Sequence, residues 1–268
     1  MPEVIVRRQG AVGTVVLSNP AKFNAMSLSM WQALPPAIAE LDDDPAIRVI
    51  VLEGDGDRAF VSGADISQFE SNRTEQSARA LYETAVDAGY RAPIENRKPT
   101  IAKIRGICMG GGLGLAASCD LRICADDTRF RMPAARLGLG YSTAGTARFL
   151  ALVGPQRTLE LFYTARIFGA ADALAMGFVL QVTPAAELDA TVAALAESIA
   201  ANAPLTQTAA KRSMDALLYA RGAPVSPEAV AQKYAAAREA VQACGRSQDY
   251  REGARAFMEK RPPQFMGR

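Results

Sequence analysis

The sequence predicts an α/β fold, and three observations support this prediction. Short apolar runs typical of buried strands, such as 49–52 and 101–104, alternate with longer segments of helical spacing. The last third of the chain is helical almost throughout. A triple glycine, Gly110 to Gly112, separates a strand-like run from a helix of small residues, a pattern that indicates a tight strand-to-helix turn. With 268 residues, the chain can form one large domain or a core domain with an appendage.

The N-terminal part begins with a predicted hairpin and continues into a helix. Residues 4–8 and 12–18 alternate between apolar and polar side chains and are joined through Gly10, as in a β-hairpin. Ser27 is a predicted N-cap for a helix over 27–42, because apolar positions follow it at intervals of three and four. A pair of prolines in the middle of this helix is expected to distort it.

The remaining elements follow the same rules. Predicted strands cover 49–52, 101–104 and 121–125, and a short helix covers 113–119. Further helices are predicted over 155–164, 170–176, 185–201, 204–220 and 227–243. A soft boundary near residue 200 divides a core, 1–200, from a C-terminal helical region, 201–268.

Composition and charge exclude several classes of function. The 30 basic and 28 acidic residues are spread along the chain without a basic block, which argues against nucleic acid as a partner. The N-terminus lacks the pattern of a signal or transit peptide, and no apolar run approaches the roughly 18 residues needed to span a membrane. The four cysteines lack metal-ligand spacing, so we expect reduced thiols, no metal site and a cytoplasmic protein without membrane contact.

The chain contains no histidine. This excludes an imidazole general base, Ser-His and Cys-His nucleophile pairs and metal sites built on histidine. Any catalysis must therefore rest on other groups.

The glycine-rich turn is the most informative motif. Residues 101–120 predict a strand, a turn at the three glycines and a helix whose first N–H groups lack partners within the helix. Together with the positive end of the helix dipole, such N–H groups attract negative charge. Taken alone, the glycines could equally serve close packing of the helix on the strand.

Four ordered segments carry a resemblance to a known family. They are AFVSGADI (59–66), IRGICMGGGLGLAASCDLRICADDTRF (104–130), MPAARLGLGYSTAGTARFL (132–150) and SQDYREGARAFMEKRPPQF (247–265). These segments resemble the enoyl-CoA hydratase/isomerase, or crotonase, superfamily. The resemblance implies a crotonase-like spiral of ββα units and a C-terminal helical trimerisation region, with a homotrimer or a dimer of trimers as the assembly. It also implies an acyl-CoA thioester as ligand, with coenzyme A as part of the substrate and no separate cofactor.

The resemblance further implies an oxyanion hole formed by the backbone N–H groups of Ala64 and Gly111. Two such donors would stabilise an enolate-like thioester oxygen whose charge develops during the reaction, and losing one donor of this kind costs about 3 kcal/mol. Small residues allow the close approach that backbone donors need, which fits Gly110 beside Gly111.

Contacts to coenzyme A are implied at both ends of the chain. Lys22 resembles the basic residue near the phosphates, while Ala64, Asp65 and Ile66 resemble the backbone that meets the adenine. The C-terminal pair expected to reach a neighbouring subunit's nucleotide is Phe257 and Lys260. A packed aromatic ring and a solvated lysine are the alternative for this pair.

The sequence departs from the family pattern at two positions. Hydratases of the family use two glutamates to position and activate water, and this chain has Gly114 and Ala134 there. General acid–base groups typically contribute about 100- to 10,000-fold each, so efficient hydration of a crotonyl thioester is not expected. Polar candidates nearby are Tyr141 and Ser142. Tyr141 has either a catalytic or substrate-orienting role or is simply an aromatic side chain that lines the pocket, and Ser142 can only donate or accept hydrogen bonds.

Three hypotheses follow from these residues. The first is a hydratase- or isomerase-family enzyme that acts through an enolate held by Ala64 and Gly111. The second is a decarboxylase-like enzyme in which Tyr141 orients the substrate. The third is a non-catalytic acyl-CoA-binding or scaffold protein. Acidic residues of the segment 70–95 could reach the pocket, although a solvated helix face is the simpler interpretation, and Asp120 is expected to have a structural role.

Overall fold

The computed structural model describes residues 2–65, 76–141, 143–222 and 226–268. In these ranges the chain forms two sheets surrounded by helices. The strands are β1 (Glu3–Gln9), β2 (Val12–Ser18), β3 (Val49–Gly54), β4 (Ala59–Val61), β5 (Thr100–Ile104), β6 (Ile107–Met109), β7 (Leu121–Ala125), β8 (Arg129–Arg131), β9 (Ile167–Gly169) and β10 (Gln181–Thr183). The helices are α1 (Leu28–Asp43), α2 (Gln76–Glu95), α3 (Gly111–Ser118), α4 (Thr143–Thr164), α5 (Ala170–Ala175), α6 (Leu188–Ala200), α7 (Pro204–Gly222), α8 (Pro227–Arg246) and α9 (Gln248–Glu259).

The larger sheet has the strand order β1-β2-β3-β5-β7-β10. The first two strands form the antiparallel hairpin that the sequence predicts, and the other neighbours pair in parallel. Strands in the middle of a parallel sheet are covered on both faces, which explains why β3 and β5 are mostly buried.

The smaller sheet has the order β4-β6-β8-β9. Its first three strands run in parallel, with Val61 opposite Cys108 and Cys108 opposite Phe130. Each of these strands follows a strand of the larger sheet along the chain, so β3–β4, β5–β6 and β7–β8 are successive turns of a spiral. Residues that leave the ends of β4, β6 and β8 therefore emerge at one edge.

The hydrophobic core lies between the sheets and on both faces of the larger one. Helix α1 buries Trp31, the only tryptophan in the chain. Phe130 of β8 stacks on Phe168 of β9 with ring centroids 5.2 Å apart. On the opposite face of the larger sheet, α6 contributes Leu188 and Val192 to a second cluster with the central strands. The layers are therefore fixed by packing on either side of one sheet.

The C-terminal helices are attached to the core through a buried lysine. Lys211 of α7 donates from Nζ to the carboxylate of Asp120 at 2.8 Å, the side-chain oxygen of Asn96 at 3.0 Å and the carbonyl oxygens of Pro93 and Lys98. Asp120 also accepts hydrogen bonds from Thr100, which gives it the structural role expected from the sequence. The proposed division near residue 200 remains a prediction.

Several predicted boundaries change in the structure. Ser27 caps α1 through a hydrogen bond from the Met30 N–H, as predicted, and the helix continues through the two prolines. The helix predicted over 155–164 begins earlier, at Thr143, and is interrupted at Gly154, where φ is +75°. Glycine adopts this conformation at little cost, so the turn before Pro155 divides α4 into two segments.

In the described ranges, no helix is both long enough and apolar enough to cross a membrane. Cys108, Cys119 and Cys124 are buried and none of the four cysteines forms a disulfide. Burial raises the pKa of Cys119 and of Cys124 to about 12, so these thiols stay protonated near neutral pH.

Candidate active site

The candidate site lies where three chain segments leave the ends of β4, β6 and β8. Because these strands are parallel neighbours, the segments that follow them, 62–65, 110–112 and 132–141, lie side by side. The Gly110 N–H donates to the carbonyl of Arg131 at 2.9 Å and so links the second segment to the end of β8, where the third segment begins. The smaller sheet thus brings together residues that lie up to about eighty positions apart in the sequence.

Ala64 lies in a bridge to the segment before α1. The Met26 N–H donates to the Gly63 carbonyl at 2.8 Å, and the Asp65 N–H donates to the Met26 carbonyl at 3.0 Å. These two bonds fix the peptide on either side of Ala64. Gly63 has φ of +127°, a conformation that favours glycine and turns the chain at this point.

Gly111 is the first residue of α3. It follows Gly110, which has φ of +51° and ψ of −115° and so requires glycine. The Gly114 N–H donates to the Gly110 carbonyl at 3.1 Å, the first hydrogen bond of this helix. The N–H groups of the first turn, that of Gly111 included, therefore have no partner within the helix.

The N–H groups of Ala64 and Gly111 share two properties. Among the residues that the structure describes, neither donates a hydrogen bond to another group of the protein. Both residues are half-buried, so a ligand can reach them. A Cβ built on Gly110 would lie 3.8 Å from the Cα of Gly63, which shows how closely the two segments approach. Two unpaired donors on adjacent segments can bind one developing negative charge.

Gly114 faces a tyrosine that the sequence analysis did not select. A Cβ built on Gly114 would lie 2.6 Å from the hydroxyl oxygen of Tyr90 and 2.7 Å from its Cζ. The Tyr90 side chain, which comes from α2, therefore occupies the space into which a side chain at position 114 would project. The ring packs edge to face on Trp31, with centroids 5.3 Å apart and an interplanar angle of 82°.

The Tyr90 hydroxyl also lies near a second tyrosine and the backbone of the glycine turn. Its oxygen is 3.4 Å from the Tyr141 hydroxyl oxygen and 3.3 Å from the Gly111 carbonyl oxygen, to which it donates. The ring of Tyr141 packs edge to face on Phe162 at 5.2 Å. We refer to Tyr90 and Tyr141 as the tyrosine pair.

The tyrosine pair is uncharged near neutral pH. Burial raises the pKa of the Tyr90 phenol well above its usual value and also raises that of Tyr141. Tyr82, two turns before Tyr90 on α2, has its pKa raised by burial to about 12. In the described part of the chain, no charged side chain forms a hydrogen bond or an ion pair with either member of the pair. The pair can therefore donate hydrogen bonds, but phenolate is scarce.

Ala134 starts a short 3₁₀ helix, Ala134–Leu137, after β8. Its side chain is buried, and its carbonyl accepts a hydrogen bond from the Leu139 N–H at 3.0 Å. Neither Gly114 nor Ala134 can supply a carboxylate. That these are the two glutamate positions of the family remains a prediction from the sequence.

Lys22 and Asp65 form an ion pair in the structure. The Lys22 ammonium lies 2.8 and 2.9 Å from the two carboxylate oxygens of Asp65, whose side chain is buried. The Lys22 side chain is half-exposed, so phosphates can approach it from solvent. Two further residues from the sequence prediction, Ile66 and Ser142, lie outside the described residues.

Phe257 and Lys260 lie at the end of α9. Phe257 is 83% exposed, and Lys260 ends the helix with φ of +54°. Within the described ranges, neither side chain forms a hydrogen bond or an ion pair with the residues of the candidate site. Their exposure fits a contact beyond this chain, and the contact itself remains a prediction.

The acidic residues of α2 that the sequence analysis considered lie on an exposed face of the helix. Glu83, Asp87 and Glu95 are all exposed, as expected for a solvated helix face. Glu70 lies outside the described residues. In the described part of the chain, no group of three or more cysteine, aspartate or glutamate side chains could hold a metal ion.

Tyr90 is the residue that sequence reasoning missed. A signal existed, because Tyr82, Val86 and Tyr90 recur at intervals of four and pack against the core. That spacing predicts a buried helix face. It does not indicate that the face meets the glycine turn, since this contact joins residues far apart in sequence.

The two-sheet spiral and its paired backbone donors define the class of protein: an α/β protein of the crotonase fold. Solved structures with this fold cover nearly the whole chain. An enoyl-CoA hydratase/carnithine racemase from Magnetospirillum magneticum has a TM-score of 0.89 and 33% identity over 100% of this chain and 97% of its own. An enoyl-CoA hydratase/isomerase family protein from Hyphomonas neptunium has a TM-score of 0.90 and 31% identity, with 100% and 98% covered.

The family profile for enoyl-CoA hydratase/isomerase matches residues 7–268, and the chain belongs to that family. Its relatives include the short-chain-enoyl-CoA hydratase of Clostridium acetobutylicum, 30% identical over 96% of this chain and 95% of the relative. The carnitinyl-CoA dehydratase of Proteus mirabilis is 31% identical over 97% of each chain. These results confirm the family and the fold predicted from the sequence.

Proposed function

We propose that this protein is an acyl-CoA thioester enzyme that stabilises an enolate-like thioester oxygen with the N–H groups of Ala64 and Gly111. The observation that carries the proposal is that, among the residues that the structure describes, neither N–H group has a protein acceptor, and that both lie on adjacent segments at the end of parallel strands. Preorganised backbone donors of this kind need no rearrangement when negative charge develops.

The ligand contacts proposed for coenzyme A extend from this pair. Lys22 binds near the phosphates, and the backbone of 64–66 borders the adenine. Gly110 borders the thioester, and Ser142 offers a hydroxyl for a hydrogen bond to the substrate. Phe257 and Lys260 reach the nucleotide bound by a neighbouring subunit in a homotrimer or a dimer of trimers. Coenzyme A enters as part of the substrate, no separate cofactor takes part, and the protein works in the cytoplasm. Sedimentation analysis tests the assembly, since a trimer has three times the 28.5 kDa mass of one chain.

Crotonyl-type hydration is expected to be slow, because Gly114 and Ala134 carry no acid–base group. A decarboxylase-like reaction is the second candidate. The position of the Tyr141 hydroxyl beside Tyr90, whose own hydroxyl donates to the Gly111 carbonyl, favours it. In that reaction the bond between Cα and the substrate carboxylate breaks and CO2 leaves. The electron pair moves onto the thioester oxygen, and a proton from water later returns to Cα. This route forms the enolate without a protein base.

The test removes one donor and leaves its neighbour intact. Gly111→Pro deletes the N–H at the first position of α3, where proline is tolerated in helices. Gly111→Ala keeps the N–H and serves as the matched control, although its Cβ would lie 3.1 Å from Trp31. Circular dichroism checks that both variants are folded.

Turnover is measured with crotonyl-CoA, for hydration, and with malonyl- and methylmalonyl-CoA, for decarboxylation. We expect Gly111→Pro to lose about 100-fold in kcat/KM, from about 3 kcal/mol for one oxyanion donor, and Gly111→Ala to keep most of the activity. Full activity in a folded Gly111→Pro variant contradicts the proposal. If wild-type protein binds acyl-CoA tightly but turns over none of these thioesters, the non-catalytic alternative is correct. Rapid crotonyl-CoA hydration that survives Tyr141→Phe excludes the decarboxylase-like candidate.

A further inference from the structure

The tyrosine pair places two hydroxyl groups beside the glycine turn. Tyr90 comes from α2 and Tyr141 from the segment after β8, and their oxygens meet at 3.4 Å. Each ring is held by an edge-to-face contact, Tyr90 on Trp31 and Tyr141 on Phe162. Aromatic contacts from different elements fix both rings, so the two hydroxyl groups converge on one point.

The hydrogen bonds of these hydroxyl groups are long. Oxygen–oxygen hydrogen bonds usually measure about 2.7–2.8 Å. The Tyr90 oxygen is 3.3 Å from the Gly111 carbonyl and 3.4 Å from Tyr141. Both bonds are therefore weak, and a closer acceptor on a ligand can compete for either proton.

The pair also lies close to the proposed oxyanion hole. A Cβ on Gly111 would be 3.7 Å from the Tyr90 hydroxyl oxygen, and one on Gly114 would be 2.6 Å from it. The hydroxyl thus borders the first turn of α3. An acyl group whose thioester oxygen is held by Gly111 would pass this hydroxyl within a few bonds of the thioester.

We propose that Tyr90, acting with Tyr141, is a specificity-determining residue that selects acyl-CoA thioesters with an oxygen acceptor on the acyl chain, close to the thioester. This inference rests on the proposed function, because it assumes that the acyl-CoA thioester binds at Ala64 and Gly111. A site built to hydrogen-bond an oxygen of the substrate rejects an analogue that lacks this oxygen. Unsubstituted alkyl thioesters would leave both hydroxyl groups with only their long internal hydrogen bonds.

The test compares two thioesters of similar shape. Acetoacetyl-CoA has an oxygen at its third acyl carbon, and isovaleryl-CoA has a methyl group there. Neither has a double bond to hydrate or a carboxylate to lose, so binding is measured by calorimetry without these reactions. The proteins are wild type, Tyr90→Phe and Tyr141→Phe. Tyr163→Phe is the matched control, because Tyr163 is 74% exposed.

We expect wild-type protein to bind acetoacetyl-CoA more tightly than isovaleryl-CoA. Each of the variants Tyr90→Phe and Tyr141→Phe should reduce this preference by about 2- to 12-fold, the range for one hydrogen bond. Isovaleryl-CoA affinity should change less than about twofold, and the control should keep the full preference. The ratio of the two affinities decides the matter, since a purely structural loss would weaken both thioesters alike.

Two results would overturn the inference. An unchanged preference in both variants shows that the hydroxyl groups do not contact the acyl oxygen. If a variant binds both thioesters more weakly by the same factor, Tyr90 has a structural role only. In either case the thioesters still bind, and the proposed function stands. If neither thioester binds to wild-type protein, the proposed function fails and this inference fails with it.

Discussion

Position 114 allows a direct test of how Tyr90 fills the site. Gly114→Ala adds one methyl group, whose carbon would lie 2.6 Å from the Tyr90 hydroxyl oxygen, 2.7 Å from Cζ and 3.0 Å from Cε1. Ordinary contacts begin near 3.4 Å, so the phenol must move by most of an ångström. Its edge-to-face contact with Trp31 opposes that movement.

Two terms of opposite sign determine the stability of this variant. Overpacking typically costs about 1–3 kcal/mol. Alanine in place of glycine inside a helix stabilises by about 1 kcal/mol. Gly114→Ala alone should therefore lower the free energy of unfolding by up to about 2 kcal/mol. In a Tyr90→Ala background the overpacking is removed, and the same substitution should stabilise by about 1 kcal/mol.

A double-mutant cycle isolates the contact. The helix-propensity term cancels between the two backgrounds, so the coupling energy equals the overpacking cost of about 1–3 kcal/mol. The free energy of unfolding is obtained from urea titrations followed by circular dichroism at one fixed protein concentration, because association changes apparent stability. Fluorescence is less suitable, since Trp31 touches the substituted ring.

Gly112→Ala is the matched control for this cycle. A Cβ at Gly112 would lie 2.3 Å from the carbonyl oxygen of Val61, which is backbone and cannot rotate away. Its cost should therefore be large and the same with or without Tyr90. If the changes in the free energy of unfolding caused by Gly114→Ala and by Tyr90→Ala add within about 0.5 kcal/mol in the double variant, the reasoning about Tyr90 is refuted.

Two further predictions concern buried ionisable groups. Lys211→Met should destabilise the fold by about 1–3 kcal/mol in urea titrations, because it removes the buried donor shared by the partly buried Asp120 and the carbonyl oxygens of Pro93 and Lys98. Arg157→Ala at an exposed pair should cost under about 1 kcal/mol, and equal effects of the two substitutions would contradict the role of Lys211. The pKa of Tyr82 is raised by burial to about 12, so between pH 10 and 12 the folded state binds more protons than the unfolded state and stability falls as pH rises. Tyr82→Phe should flatten this decline in thermal unfolding measured across the window, and an unchanged slope would show that Tyr82 does not cause it.

Much of the fold could be predicted from the sequence because its main elements are long or strongly patterned. The hairpin β1–β2, the Ser27 cap and the strand β7 appear where alternation and capping chemistry place them. The strands of the smaller sheet could not be found in this way. Each has three residues, too few for a periodic signal, and their pairing is set by tertiary contacts.

In the candidate site, too, the residues in local motifs could be predicted from the sequence, and the residue brought in by tertiary contacts could not. Ala64 and Gly111 lie in local motifs that the sequence displays. A bridge and a helix start explain why neither N–H group has an acceptor among the described residues. Tyr90 contacts residues 21 and 51 positions away, through bonds that no motif encodes. A glycine in the sequence indicates room for a neighbour, but only the fold identifies that neighbour as a tyrosine.

The neutral tyrosine pair separates two roles within the site. Because the pKa values of Tyr90 and Tyr141 are raised by burial, neither phenol serves as an efficient base near pH 7, whereas both can donate hydrogen bonds. In the proposed reaction, the charge on the thioester oxygen is stabilised by the backbone donors, which no side-chain substitution at position 90 removes. Loss of a donor at Gly111 should therefore lower the rate for every thioester, while loss of the Tyr90 hydroxyl should change which thioester is preferred. If Tyr90 were instead the general base of the site, removal of its hydroxyl would lower the reaction rate for all thioesters alike. That outcome distinguishes a base from a hydrogen-bond donor at position 90.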